Sequence, residues 1–184
     1  MSLSKPLERL MNAEMIEKQK GFAVLQGVKE ATFARFIEWV YKSTYTAPHP
    51  VDIGTEEIMK DLTKVFLAHA ELYVFAEEKD VQDLKAKALE NLWATYKTIR
   101  SDNKIWISEP LQLPVYIYQN TSKANSEKLE PLREFAIAYL KSFDLKRVFN
   151  NLGSLPSLGT TAPDLLRDIL FEAMVKAPKG PKEI

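Results

Sequence analysis

The chain contains no cysteine. Disulfides, thiolate metal sites and a cysteine nucleophile are therefore excluded, and the usage is that expected of a cytoplasmic or nuclear protein. A surplus of one charge is missing too. Lys plus Arg and Asp plus Glu each number 25, so the formal net charge is zero. Nucleic-acid binding normally rests on a cationic surplus that displaces counterions from phosphates, so no direct nucleic-acid partner is expected. The tail offers Lys176, Lys179 and Lys182 among Pro178 and Pro181, which reads more simply as a solvated terminus. No stretch approaches the roughly 18 consecutive apolar residues of a membrane span. The opening MSLSKPLERL places charges where a secretory signal would have its apolar core, so no membrane partner is expected either.

Residues that carry chemistry are equally sparse. The six glycines form neither a dinucleotide fingerprint nor a phosphate loop; Gly153 and Gly159 have the wrong spacing, and no lysine follows the second. No nucleophile elbow is present. Of the two histidines, His49 sits between Pro48 and Pro50. His69 has Val65, Phe66, Leu72 and Tyr73 at helical offsets, and none of these is a metal ligand. It reads as a histidine at the edge of a core with one hydrogen-bonded nitrogen. Glu57 and Asp61 stand one helical turn apart and could form an acid–base or metal pair. Lys60 and Lys64 are interleaved, and acidic residues suit the positive end of a helix, so the structural reading is favoured. The aromatics around Tyr116 and Tyr118 could stack on bases, but without a basic surround they read as core. No catalytic, cofactor-binding or metal residue is assigned, no cofactor is expected, and the chain is not read as an enzyme.

What is present is apolar helical periodicity. With 46% hydrophobic and 27% charged residues, 184 residues suffice for a core burying roughly 70% of the unfolded surface. Ser4 can cap a first helix. Gly21–Val28 is expected to be a short strand or extended connector. Phe33, Phe36, Ile37 and Val40 recur at i, i+3, i+4 and i+7 and predict an amphipathic helix ending near Ser43. Thr55 is expected to cap a longer helix whose face holds Leu62, Val65, Phe66, His69, Leu72, Tyr73 and Ala76. Asp80 caps the next, with Leu84, Ala88, Leu92 and Trp93 on its apolar side. Lys97–Ser108 reads as a connector. Ser126 is expected to cap a helix with Leu129, Leu132, Ala136, Tyr139, Leu140 and Phe143 on one face. GSLPSLGTTAP reads as a loop, and Pro163 starts a last helix with the stripe Leu165, Leu166, Ile169, Leu170 and Ala173.

Taken in order, ATFARFIEWVYKSTY and LTKVFLAHAELYVFAEEKDVQDLKAKALENL resemble the latter half of a BTB (POZ) domain in the form common among fungal proteins. The first is similar to the family's aromatic helix and the second to its closing helical hairpin. Ala70, Tyr73, Ala76, Leu84 and Ala88 occupy the hairpin's pattern positions, and Gly21, Phe22 and Glu30 resemble the segment before the aromatic helix. LPVYIYQNTS and LEPLREFAIAYLKSF, with Arg133 and Tyr139, resemble the helical extension that often follows such domains.

The resemblance implies a mainly α fold with at most one or two short strands. A partial BTB-like domain would span residues 1–96, and a helical extension packed on it residues 97–184. The strands that open a complete BTB domain have no counterpart here. Dimerisation in the family depends on that region, so the resemblance leaves the homo-oligomeric state open. The implied function is a protein–protein interaction module that assembles or recruits partner proteins, with a ubiquitin-ligase adaptor role toward a cullin within its range. A small helical enzyme or a transcription-related regulator are the alternatives. Anchors at a protein interface are typically buried aromatics. Trp39, Tyr41 and Tyr45, near the end of the aromatic helix, are the candidate partner-binding residues.

Overall fold

A computed structural model describes residues 27–53, 59–101, 105–107, 109–122, 129–143 and 155–175. The chain divides into two compact units, Met1–Ser108 and Glu109–Ile184. The described residues are mainly helical, as the sequence predicts. Among them no helix is long and apolar enough to cross a membrane. The predicted first helix capped by Ser4, most of the Gly21–Val28 segment, the caps Thr55 and Ser126, Glu57, and the lysine tail lie outside the described residues.

In the first unit, α1 spans Glu30–Lys42, with an acid in its first turn and a base in its last. Both oppose the helix dipole's end charges. Ser43, at φ 57°, closes it by donating its N–H to the Trp39 carbonyl at 2.7 Å, where the sequence places the end. The helix carries two apolar ridges rather than one face. Thr32, Phe36 and Trp39 point inward, and Phe36 meets the Phe75 ring at 5.2 Å. Phe33, Ile37 and Tyr41 form the neighbouring ridge and remain exposed. Phe33 and Ile37, on the predicted apolar face, are thus about a third exposed. A helix advances about 100° per residue, so only one ridge reaches the packing partner.

The next element is not the helix expected from Thr55. β1 (Val51–Ile53) pairs antiparallel with β2 (Met59–Asp61), Val51 opposite Asp61. The β-branched Val51 and Ile53 suit extended backbone. The helix α2 begins only at Thr63 and runs to Glu78. The Asp61 carboxylate accepts from Thr63 N at 2.9 Å and from Thr63 Oγ1 at 2.7 Å, meeting donors of the first turn. Apolar residues are buried around most of α2, which makes it the unit's central helix.

Asp80 ends α2 instead of capping its successor. Its φ is 52°, its N–H reaches the Glu77 carbonyl, and Val81 N–H reaches Ala76 at 2.8 Å. That is a Schellman closure, with Val81 packed on the cluster containing Ala76. The hairpin is completed by α3, Gln82–Ser101. Leu84, Ala88 and Leu92 recur every four residues and are fully buried, as predicted. Each leucine contributes about 2 kcal/mol by burial. The boundary expected after residue 96 falls inside α3, and β3 (Ile105–Trp106) occupies part of the predicted connector, parallel to β2. The sheet order is β1-β2-β3, one short strand more than expected.

In the second unit, α4 spans Gln112–Asn120, α5 Pro131–Leu140, α6 Leu155–Thr161 and α7 Pro163–Val175. Glu130 caps α5, accepting from Leu132 N at 2.9 Å and Arg133 N at 3.1 Å, with Pro131 in the first turn. GSLPSLGTTAP is not all loop, since α6 forms within it. Pro156 stands in its first turn, where a missing N–H is harmless. Pro163 opens α7 as predicted. Leu165 and Ile169 face the core, whereas Leu170, placed in the same stripe by the sequence, is exposed.

Candidate functional site

Each unit gathers polar side chains in its interior. In the first, Glu38 on α1 reaches past the helix end. It accepts from Thr46 N at 2.8 Å and Thr46 Oγ1 at 2.9 Å, and pairs with Lys42 at 3.1 Å. The Thr46 N–H, followed by Lys42, holds its carboxyl below the usual range. This clamp fixes the segment after α1 and delivers Tyr45 to α2. There Tyr45 Oη lies 2.7 Å from His69 Nδ1, with the rings edge to face at 5.5 Å. On the other side of the imidazole, Thr95 Oγ1 of α3 lies 3.4 Å from Nε2.

His69 is 4% exposed. Burial, and secondarily the Arg35 charge, lowers its pKa to about 4. A neutral imidazole presents one donor and one acceptor, and a hydroxyl can meet either. Burial in turn pushes Tyr45 up to about 12, so it stays a phenol. The sequence anticipates His69 as a core histidine but with one bonded nitrogen; it has two neighbours. Neutral and enclosed, the ring joins three segments, the loop after α1, α2 and α3. Among the described residues no group of three or more His, Asp or Glu side chains is placed to hold a metal ion. Asp61 is engaged at the start of α2, and its proposed companion Glu57 is outside the described residues.

The three candidate partner-binding residues separate. Trp39, 8% exposed, and Tyr45, 6% exposed, join the core cluster with Phe36, Leu72, Phe75 and Leu84. Tyr41 is 84% exposed and continues the ridge of Phe33 and Ile37. The exposed large apolar side chains of α1 therefore lie at i, i+4 and i+8, with Tyr41 one residue from the helix end. Sequence periodicity contains this ridge but does not say which of two ridges faces out.

The second unit's centre is Arg133 on α5, 2% exposed. Its guanidinium lies over the Tyr118 ring, 4.5 Å from the centroid. Nε donates to Thr121 Oγ1 at 2.9 Å, and Nη2 donates to the Thr121 and Tyr118 carbonyls. Nη1 stands 3.7 Å from Asp164 Oδ2. Tyr118 Oη donates to Asp168 at 2.9 Å, and Arg167 pairs with both aspartates. Burial, then the Asp168 charge, raises the Tyr118 phenol far above its ordinary range. A buried permanent cation requires such partners, because an uncompensated one is costly. The sequence marks Arg133 as a pattern residue, yet gives no sign that it is interior. Its one signal is its place in a helix otherwise rich in apolar residues.

Neither centre forms an accessible pair of a nucleophile and a base; both are interior brackets. Among the described residues of the first unit, the exposed large apolar side chains are Phe33, Ile37 and Tyr41 of α1. No protein-family model, no curated protein and no solved structure matches this chain.

Proposed function

We propose that this chain is a non-catalytic protein-interaction module of BTB-like kind, working inside the cell. The observation that carries the proposal is the exposed ridge Phe33, Ile37 and Tyr41 on α1. An apolar ridge on a helix anchored by a buried second ridge is a rigid surface, and rigid surfaces lose little entropy on binding. Lys29 contributes to the anchoring through Glu71 at 2.6 Å, as does Thr32 Oγ1 at 3.3 Å to the same carboxylate. The order of an aromatic helix followed by a helical hairpin supports the BTB-like reading. Recruitment of a cullin, and through it ubiquitin-ligase assembly, is the finer form of the proposal and rests on the resemblance alone.

The test compares proteins captured by the wild-type chain with those captured by Ile37→Asp and Tyr41→Ala, using quantitative mass spectrometry. Specific partners retained by the wild type and lost by both variants support the surface. Equal recovery by all three chains removes α1 from the function. Titration with a purified cullin N-terminal region addresses the finer claim, and absence of binding there ends the adaptor role without touching the rest.

A further inference from the structure

A second surface lies in the other unit and does not depend on the reading of α1. Between α5 and α7 runs a groove of about 420 Å3. Its apolar lining comes from Leu129, Ile137, Ala138 and Phe171. Phe171 is 65% exposed, an unusual position for a phenylalanine on a helix whose opposite face is packed.

The rim is acidic. Glu134, Asp168 and Glu172 border the groove, against a single lysine, Lys141. Lys141 is already paired with Glu172 at 2.8 Å, and Asp168 is held by Arg167 and Tyr118. Glu134 on α5 is exposed and has no ion pair among the described residues. The groove thus offers an apolar lining beside an unneutralised carboxylate, on a chain whose formal net charge is zero.

The geometry points to this groove as a docking site for a basic amphipathic segment of a partner protein. An apolar side chain of that segment lies on Leu129, Ile137 and Phe171, and a Lys or Arg one helical turn away meets Glu134. A second cation can share Glu172 with Lys141. An acidic segment is rejected, because its carboxylates would meet Glu134, which no cation offsets among the described residues. This is the helix-in-groove mode of recognition, with charge setting the choice of partner.

The test uses a fluorescein-labelled amphipathic peptide of about twelve residues, with leucine on one face and lysine on the other. A second peptide replaces every lysine by glutamate. Anisotropy titrations on the full chain are expected to give saturable binding of the lysine peptide and none of the glutamate peptide. Glu134→Lys should weaken the lysine peptide by about tenfold or more, as should Phe171→Asp. Both side chains are exposed, so circular dichroism should stay that of the wild type. Ala138→Arg, which fills the groove, provides an independent block. Glu78→Lys, on the exposed end of α2, should change nothing. Binding that responds to Glu134→Lys but not to Phe171→Asp or Ala138→Arg is unspecific charge attraction and overturns the proposal. Equal binding of the two peptides, or none of the lysine peptide, overturns it as well.

Discussion

The two units bury polar groups by opposite means. The first encloses a histidine and keeps it neutral, so that two hydroxyl neighbours suffice. The second encloses an arginine, which cannot discharge, and surrounds it with a π face, carbonyl oxygens, a hydroxyl and an aspartate. The neutral solution needs few partners but is sensitive to pH. The charged solution is insensitive to pH until its carboxylates titrate, and every partner must be supplied by the fold. One consequence is architectural. Tyr45, His69 and Thr95 come from three segments of the first unit, whereas Arg133 alone draws together α4, α5 and α7 of the second.

The comparison can be broken most severely at Arg133. Arg133→Ala removes the stack on Tyr118 and leaves the Thr121 carbonyl and hydroxyl without their donor. A loss of about 3 kcal/mol is expected in the second unit. The measurement is urea unfolding followed separately for each unit. All three tryptophans, Trp39, Trp93 and Trp106, belong to the first unit, so tryptophan fluorescence reports that unit alone. Circular dichroism should show an earlier transition while the tryptophan midpoint stays in place. A shift of the tryptophan midpoint by the same amount would mean that the units do not unfold separately.

Acid should sharpen the contrast. The His69 pKa is lowered from 6.5 to about 4 on folding, so between these values the unfolded chain binds more protons than the native one. The contribution is fully present above pH 6.5 and is lost as pH falls toward 4, by up to roughly 3 kcal/mol. The tryptophan-detected stability should therefore decline across that window, and His69→Gln should flatten the decline. A wild-type profile that is level from pH 7 to 4.5 would contradict the neutral buried imidazole.

Smaller effects follow at the edges of the same bracket. Tyr45→Phe leaves His69 Nδ1 unbonded in the core and should cost about 1–2 kcal/mol, read from the tryptophan transition. Ile37→Asp changes a side chain that is 37% exposed and should cost about 1 kcal/mol, whereas Tyr41→Ala changes one that is 84% exposed. Tyr41→Ala should change stability by less than about 0.5 kcal/mol, and both variants should reduce partner capture. A large destabilisation by Ile37→Asp would show that the ridge is structural.

Much of the helical layout is legible in the linear order of residues. The four-residue spacing of Leu84, Ala88 and Leu92, the end of α1 at Ser43 and the start of α7 at Pro163 are all local signals. Local signals also mislead where two explanations coexist. Thr55 precedes two glutamates and looks like a helix cap, yet β2 intervenes and Asp61 starts the helix. Asp80 looks like a cap for α3, yet its left-handed backbone closes α2. The short α6 is hidden by its one glycine, Gly159, and its one proline, Pro156, which read locally as turn residues.

By itself the sequence determined a helical class, a chain without thiol chemistry or net charge, and an aromatic helix followed by a hairpin. These follow from composition and from periodicities that span one or two turns. The tertiary structure alone decided which aromatics are exposed and which are core. Trp39 and Tyr41 stand two residues apart with equal claims in the sequence, and the position of α2 makes one interior and leaves the other 84% exposed. The same holds for Arg133, an ordinary charged residue until α4 and α7 surround it. Burial is a property of what packs opposite, and residues distant along the chain supply it.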